Sequence, residues 1–108
     1  MSDKITINLE EAKLLKEYNP FLVSFGAKVK AMLYDMFAEP GETFYNFYVT
    51  GRKPDVTAFA AALASEKKYM DSYLKHGLGD PKVLSNRYSL ERAIEKFERE
   101  TGIKWPLK

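Results

Sequence analysis

The sequence predicts a mainly α protein, a small single-domain bundle of four or five helices that leaves room for a short β element at 43–50; the alternative class is α+β. Three observations favour this class. Apolar residues recur every three or four positions over 22–36 and again over 56–74. Helix-capping residue types precede these stretches, and glycine or proline follows them. Only one other run, at 5–7, has the composition of a strand that could pair with the β element.

The composition is that of one globular domain. The chain has 108 residues, so we take 1–108 as a single helical domain with a short C-terminal tail at 104–108. Cysteine is absent, which excludes disulfides, thiolate metal sites and a cysteine nucleophile. No apolar run has the length of a signal peptide or a membrane span, so we expect a cytoplasmic protein that does not enter the membrane. The net charge of +2 is far from that of a dedicated DNA binder.

Two helices are predicted in the first half of the chain. Asn8, followed three residues later by a glutamate, has the pattern of an N-cap and predicts a first helix to about residue 18. The Asn-Pro pair at 19–20 predicts the start of a second helix, because a proline in the first turn loses no hydrogen bond. Gly26 inside this helix indicates a close helix crossing. The Pro-Gly pair at 40–41 ends it.

The segment TFYNFYVTGRK, at 43–53, is ambiguous because four of its five residues at 44–48 are aromatic. A strand and a short helix both fit the spacing of the rings. Strand propensity is high, but an isolated strand needs a partner, so we favour a short helix or an irregular segment slightly over a strand.

The second half predicts two further helices. Asp55 is expected to cap a third helix that runs to His76 and ends at the glycine after it. A long connection at 77–88 follows. Ser89 is expected to cap a last helix, which Gly102 ends in the left-handed conformation.

No group of residues in the sequence has the pattern of a catalytic or metal site, so we assign no catalytic residue, no metal and no cofactor. His76 is best explained as a cation that complements the end of its helix. Acidic residues of the last helix alternate with basic ones at a spacing of four, as on an ordinary solvated face. The glycines at 77–79 lack the remaining residues of a phosphate-binding loop. An enzyme is therefore the third of the function classes we consider.

The leading hypothesis is a small non-enzymatic interaction or accessory module that presents an aromatic and basic surface to a protein partner or to itself. The alternative is single-stranded nucleic-acid binding through 44–53, with bases stacked on aromatic rings beside cations. Trp105 could dock into a partner or fold back onto its own domain, and folding back is favoured because the preceding glycine returns the chain towards the last helix. The predicted partner-binding residues are Tyr45, Tyr48, Arg52, Lys53 and Trp105.

Overall fold

A computed structural model describes residues 5–38, 47–77 and 79–107 of the chain. These residues form a mainly helical domain with a short β element, which confirms the predicted fold class. In chain order the elements are β1 (Ile5–Asn8), α1 (Leu9–Leu14), α2 (Asn19–Ala38), β2 (Phe47–Thr50), α3 (Lys53–His76) and α4 (Pro81–Thr101).

The short β element is a two-stranded parallel sheet of β1 and β2, in which Ile5 is opposite Phe47 and Asn8 is opposite Thr50. The preference for a helix or irregular segment is therefore wrong for 47–50, and the run at 5–7 supplies the missing partner strand. The strand is stable here because Ile7 of the pair is buried in the core, which an isolated strand could not achieve. Residues 43–46 of the predicted element lie outside the described residues.

The first two helices begin where the sequence predicts. The Asn8 side-chain oxygen accepts hydrogen bonds from the backbone N–H groups of Glu10 and Glu11, at 3.0 and 3.2 Å, which confirms the N-cap. The helix that it starts is shorter than expected and ends at Leu14. The second helix begins at Asn19, as predicted.

The third helix begins earlier than predicted, and its cap is a different residue. Arg52 is the N-cap and contributes no side-chain hydrogen bond, while proline occupies the first turn. Asp55 is not a cap; it lies inside the first turn and is fully buried. The predicted end is correct: Gly77 has φ +80°, and its N–H donates to the carbonyl of Tyr73 at 2.9 Å. The sequence also favours a contact of Leu78 with Tyr73 that would close this helix end, and this contact lies outside the described residues.

The predicted connection at 77–88 is largely helical, and Ser89 is not a cap. The helix begins at Pro81, and the Asp80 side chain accepts a hydrogen bond from the backbone N–H of Lys82 at 2.8 Å. Ser89 lies within the helix and donates to the carbonyl of Ser85 at 3.4 Å. An aspartate before a proline forms a complete helix start, which makes the later serine unnecessary. The helix ends at Gly102 with φ +73°, in the predicted left-handed conformation.

The core lies where α2, the antiparallel pair α3 and α4, and the segment after α4 meet. Four aromatic rings fill its centre. The ring centroid of Phe59 lies 6.4 Å from that of Phe25 and 5.9 Å from that of Phe97. The ring centroid of Trp105 lies 5.8 Å from that of Phe59 and 5.4 Å from that of Phe97. Such tilted and edge-on pairs are favourable in addition to the area that they bury. The segment 103–107 is therefore part of the core.

Candidate functional site

The segment 103–107 folds back onto the domain and is held by two carboxylates. The indole Nε1 of Trp105 donates a hydrogen bond to Oε1 of Glu66 at 2.9 Å, and its backbone N–H donates to Oε2 of Glu98 at 2.9 Å. Trp105 is only 2% exposed. Of the two alternatives for this residue, the structure shows folding back, and the assignment of Trp105 to partner binding stays a prediction.

Glu66 is an acidic residue on the buried side of α3. Burial raises the pKa of its carboxyl group above the ordinary value of 4.5, and the hydrogen bond from Trp105 opposes this with a smaller lowering effect. The carboxylate is therefore an acceptor that costs free energy when charged. Its position opposite the indole explains why it is nevertheless present, since a buried indole N–H needs an acceptor.

The other predicted partner-binding residues follow one another along a strand, a turn and a helix start. Tyr48 lies on β2 opposite Thr6 and is 53% exposed. Arg52 and Lys53 are exposed at the start of α3. Tyr45 lies outside the described residues. In its described part this connection offers one half-exposed ring, that of Tyr48, followed by two exposed cations.

A larger open surface lies between α2 and the returning segment 103–107. One cavity of about 590 Å³ lies beside Val23, Gly26 and Pro106, and a second of about 350 Å³ lies beside Tyr34 and Met70. The two cavities share Lys30 and border successive residues of the returning segment, so we treat them as one surface, the α2–tail groove. It is lined by Asn19, Leu22, Val23, Phe25, Gly26, Ala27, Lys30, Leu33, Tyr34, Met70, Lys104, Trp105, Pro106 and Leu107.

The α2–tail groove combines an apolar surface with positive charge. Val23 and Tyr34 on α2 are 74% and 77% exposed. Lys30 and Lys104 are the charged residues among the described lining, and no aspartate or glutamate is included. Neither lysine forms an ion pair with another residue in the described part of the chain. The groove therefore fits a surface that is apolar and acidic.

The groove exists because the returning segment passes close to α2. A Cβ atom at Gly26 would lie 3.4 Å from Cβ of Pro106, at the short end of ordinary contact, so the glycine leaves room for this approach. The sequence predicts a helix crossing at Gly26, whereas the neighbour found within 4 Å is Pro106, which lies after the end of α4. The sequence did not indicate the groove, because Val23 and Tyr34 lie outside the apolar series that recurs every three or four residues in this helix. That series is Leu22, Phe25, Val29, Met32, Leu33 and Met36. The exposure of Val23 and Tyr34 depends on where the returning segment lies.

A buried ion pair joins α1 to α3 below the first turn of α3. Oδ2 of Asp55 lies 2.5 Å from Nζ of Lys13, which also lies 3.6 Å from a carboxylate oxygen of Glu10. Apart from this contact with Lys13, neither oxygen of Asp55 has a hydrogen-bond partner among the described residues. A buried charge without its partner is costly, so this pair fixes the position of α1 more than it adds net stability.

The described residues contain no group of three or more histidine, cysteine, aspartate or glutamate side chains that could hold a metal ion. His76 is placed as predicted, in the last turn of its helix, with Nδ1 4.0 Å from a carboxylate oxygen of Asp80. None of the helices in the described ranges has both the length and the apolar character that a membrane crossing requires.

Comparisons with protein-family models, with curated protein sequences and with solved structures found no match to this chain.

Proposed function

We propose that this protein is a non-enzymatic interaction module that binds a protein partner through the α2–tail groove. The observation that supports this function is the combination of two large, mostly exposed apolar side chains with two unpaired lysines along one groove. The groove is lined by aromatic and basic residues, and of the five predicted partner-binding residues it includes Trp105.

The energetics of the groove favour an interface over a solvated surface. Exposed apolar side chains that are grouped together mark interaction sites, whereas single ones are common on any protein. Burying a side chain such as Val or Tyr contributes about 1.5–3 kcal/mol. Tyrosine and methionine are enriched in interfaces, and lysines at the rim select partners by charge. A partner with an apolar and acidic face would gain from both.

Photo-crosslinking tests this function directly. A photo-reactive phenylalanine analogue in place of Tyr34 places the reactive group in the groove with little change in shape. We expect a covalent adduct of discrete mass in cells that express the protein. Tyr88 provides a matched control, since it is a tyrosine of similar exposure on α4 that does not line the groove. Adducts from position 88 alone, or from neither position, would contradict binding through the groove.

Single-stranded nucleic-acid binding through 44–53 is the second candidate. It is favoured by the half-exposed ring of Tyr48, which precedes the exposed cations Arg52 and Lys53 in the chain. Phosphate contacts release counterions, so such binding must weaken steeply as salt rises. Fluorescence anisotropy of labelled single-stranded DNA and RNA at low and physiological salt would detect it. Arg52→Ala with Lys53→Ala should abolish this binding and leave crosslinking from position 34 unchanged.

A further inference from the structure

We infer that the partner in the α2–tail groove is a second copy of this chain. That copy inserts three exposed residues: Leu14, the last residue of α1, and Glu17 and Tyr18, which follow the helix. These three residues are called the α1 ridge below. The inference deepens the proposed function and rests on it, because it assigns an occupant to the same groove.

The α1 ridge combines exposed apolar side chains with the negative charge that the groove lacks. Leu14 is 85% exposed, the highest value among the large hydrophobic residues that are exposed, and Tyr18 is 59% exposed. Glu17 lies between them in the sequence and is exposed. The ridge thus presents two large apolar side chains and a carboxylate, while the groove presents apolar side chains and two lysines.

The cations near Glu17 in the sequence are engaged elsewhere. Lys13 pairs with the buried Asp55. The Lys16 ammonium lies beside Gly102, where a Cβ would come within 2.9 Å of Nζ, so it faces the carboxyl end of α4. Glu17 forms no ion pair with any described residue. The ridge therefore carries a negative charge that no ion pair within the described part of its chain neutralises.

The ridge and the groove adjoin each other on one chain. Asn19 lines the groove and directly follows Tyr18, whose carbonyl accepts a hydrogen bond from the backbone N–H of Leu22, another lining residue, at 3.0 Å. A surface that carries both complementary parts can pair with itself about a two-fold axis, each copy giving its ridge and receiving the other. Such a dimer closes, and leaves neither part free to extend a chain of subunits.

Charge reversal at Lys30 and Glu17 provides the decisive experiment, with association followed by sedimentation equilibrium of the full chain from about 1 to about 500 µM. We expect a monomer–dimer equilibrium for the unmodified protein. Lys30→Glu alone and Glu17→Lys alone each create two like-charge contacts per dimer, so each should weaken association about tenfold. An equimolar mixture of the two variants places opposite charges together at both contacts and should restore association.

Two further variants complete the design. Leu14→Ala should weaken association about tenfold, as expected for the loss of a central apolar contact. Lys82→Glu, at an exposed lysine outside the groove, should leave it unchanged. Circular dichroism of each variant checks that it is folded.

A monomeric unmodified protein over this concentration range would overturn the inference, as would a mixture of the two reversed variants that fails to associate more tightly than either alone. A monomer that still forms a position-34 adduct with a different protein would leave the proposed function intact and refute self-association alone. Failure of the proposed function would show instead as no adduct of any kind.

Discussion

Glu66 is the residue whose chemistry is most altered by the fold, and it makes stability depend on pH. Its pKa is raised above 4.5 by burial, so the folded state holds the proton more tightly than the unfolded state does. The stabilisation from the protonated group is therefore full below pH 4.5 and is lost as the pH rises through the raised pKa. Glu66→Gln keeps an oxygen for the indole of Trp105 and cannot ionise. The free energy of unfolding of this variant minus that of the unmodified protein should therefore increase as the pH rises from about 4 to 7.

Urea denaturation at a series of pH values measures this difference, and Glu66→Ala is the control. The alanine variant also cannot ionise but leaves the buried indole N–H without an acceptor, so it should be about 1–3 kcal/mol less stable than the glutamine variant at every pH. If the difference between the glutamine variant and the unmodified protein stays constant with pH, then the carboxyl group titrates alike in the folded and unfolded states, and burial does not shift its pKa.

Single residues were predictable where the sequence determines the local structure, as with the Asn8 cap and Gly102. Asp55 was not, because its burial beside Lys13 depends on how α1 lies against α3. The same limit applies to Trp105: the preceding glycine indicates that the chain returns, but only the assembled core shows the indole facing Glu66. Residue types that act on their immediate neighbours thus predicted the helix ends. Contacts between segments distant in sequence determined which polar groups are buried.

Within α4, the capping residue sets where the helix begins. Asp80→Ala removes the acceptor of the backbone N–H of Lys82, so we expect a loss of about 1 kcal/mol in the free energy of unfolding. Asp80→Asn keeps a side-chain oxygen in place and should lose much less. Thermal or urea denaturation of the two variants separates the hydrogen bond from the charge.

Ser89 is the matched control for this helix, because it is the residue that the sequence predicts as the cap. It lies inside α4 and is exposed, so Ser89→Ala should be neutral or slightly stabilising, alanine being the better helix former. A larger loss at position 89 than at position 80 would mean that the helix begins at the later residue and that 77–88 is a connection.

The sheet was harder to predict than any helix. Each strand has only four residues, and α2 separates them in the chain. A parallel pair requires such a crossover, so neither strand has a local signal such as a hairpin turn. The spacing of the aromatic residues at 44–48 fits both a strand and a short helix. For 47–50, only the pairing with β1 decides in favour of the strand.

At the scale of the whole molecule, the helical class was predictable and the α2–tail groove was not. Periodicity and capping are properties of single segments, and they suffice for a helical bundle. The groove is formed between α2 and the returning segment 103–107, which are far apart in sequence. Its aromatic and basic character resembles the surface predicted at 44–53, yet the lining comes from other residues. Composition thus indicated the kind of surface, and packing determined its place.

The returning segment also determines how the domain unfolds. Trp105, the only tryptophan, contacts rings from α3 and α4 in the centre of the core, so its fluorescence reports directly on that packing. Truncating such a residue costs about 3–5 kcal/mol, a large part of the total stability of a small domain. We expect the fluorescence of Trp105 and the helical circular dichroism to change together in urea, in one transition. Loss of the native fluorescence at a lower urea concentration would show that the segment detaches from a domain that remains folded. The α2–tail groove would then open before the domain unfolds, because one of its walls is this segment.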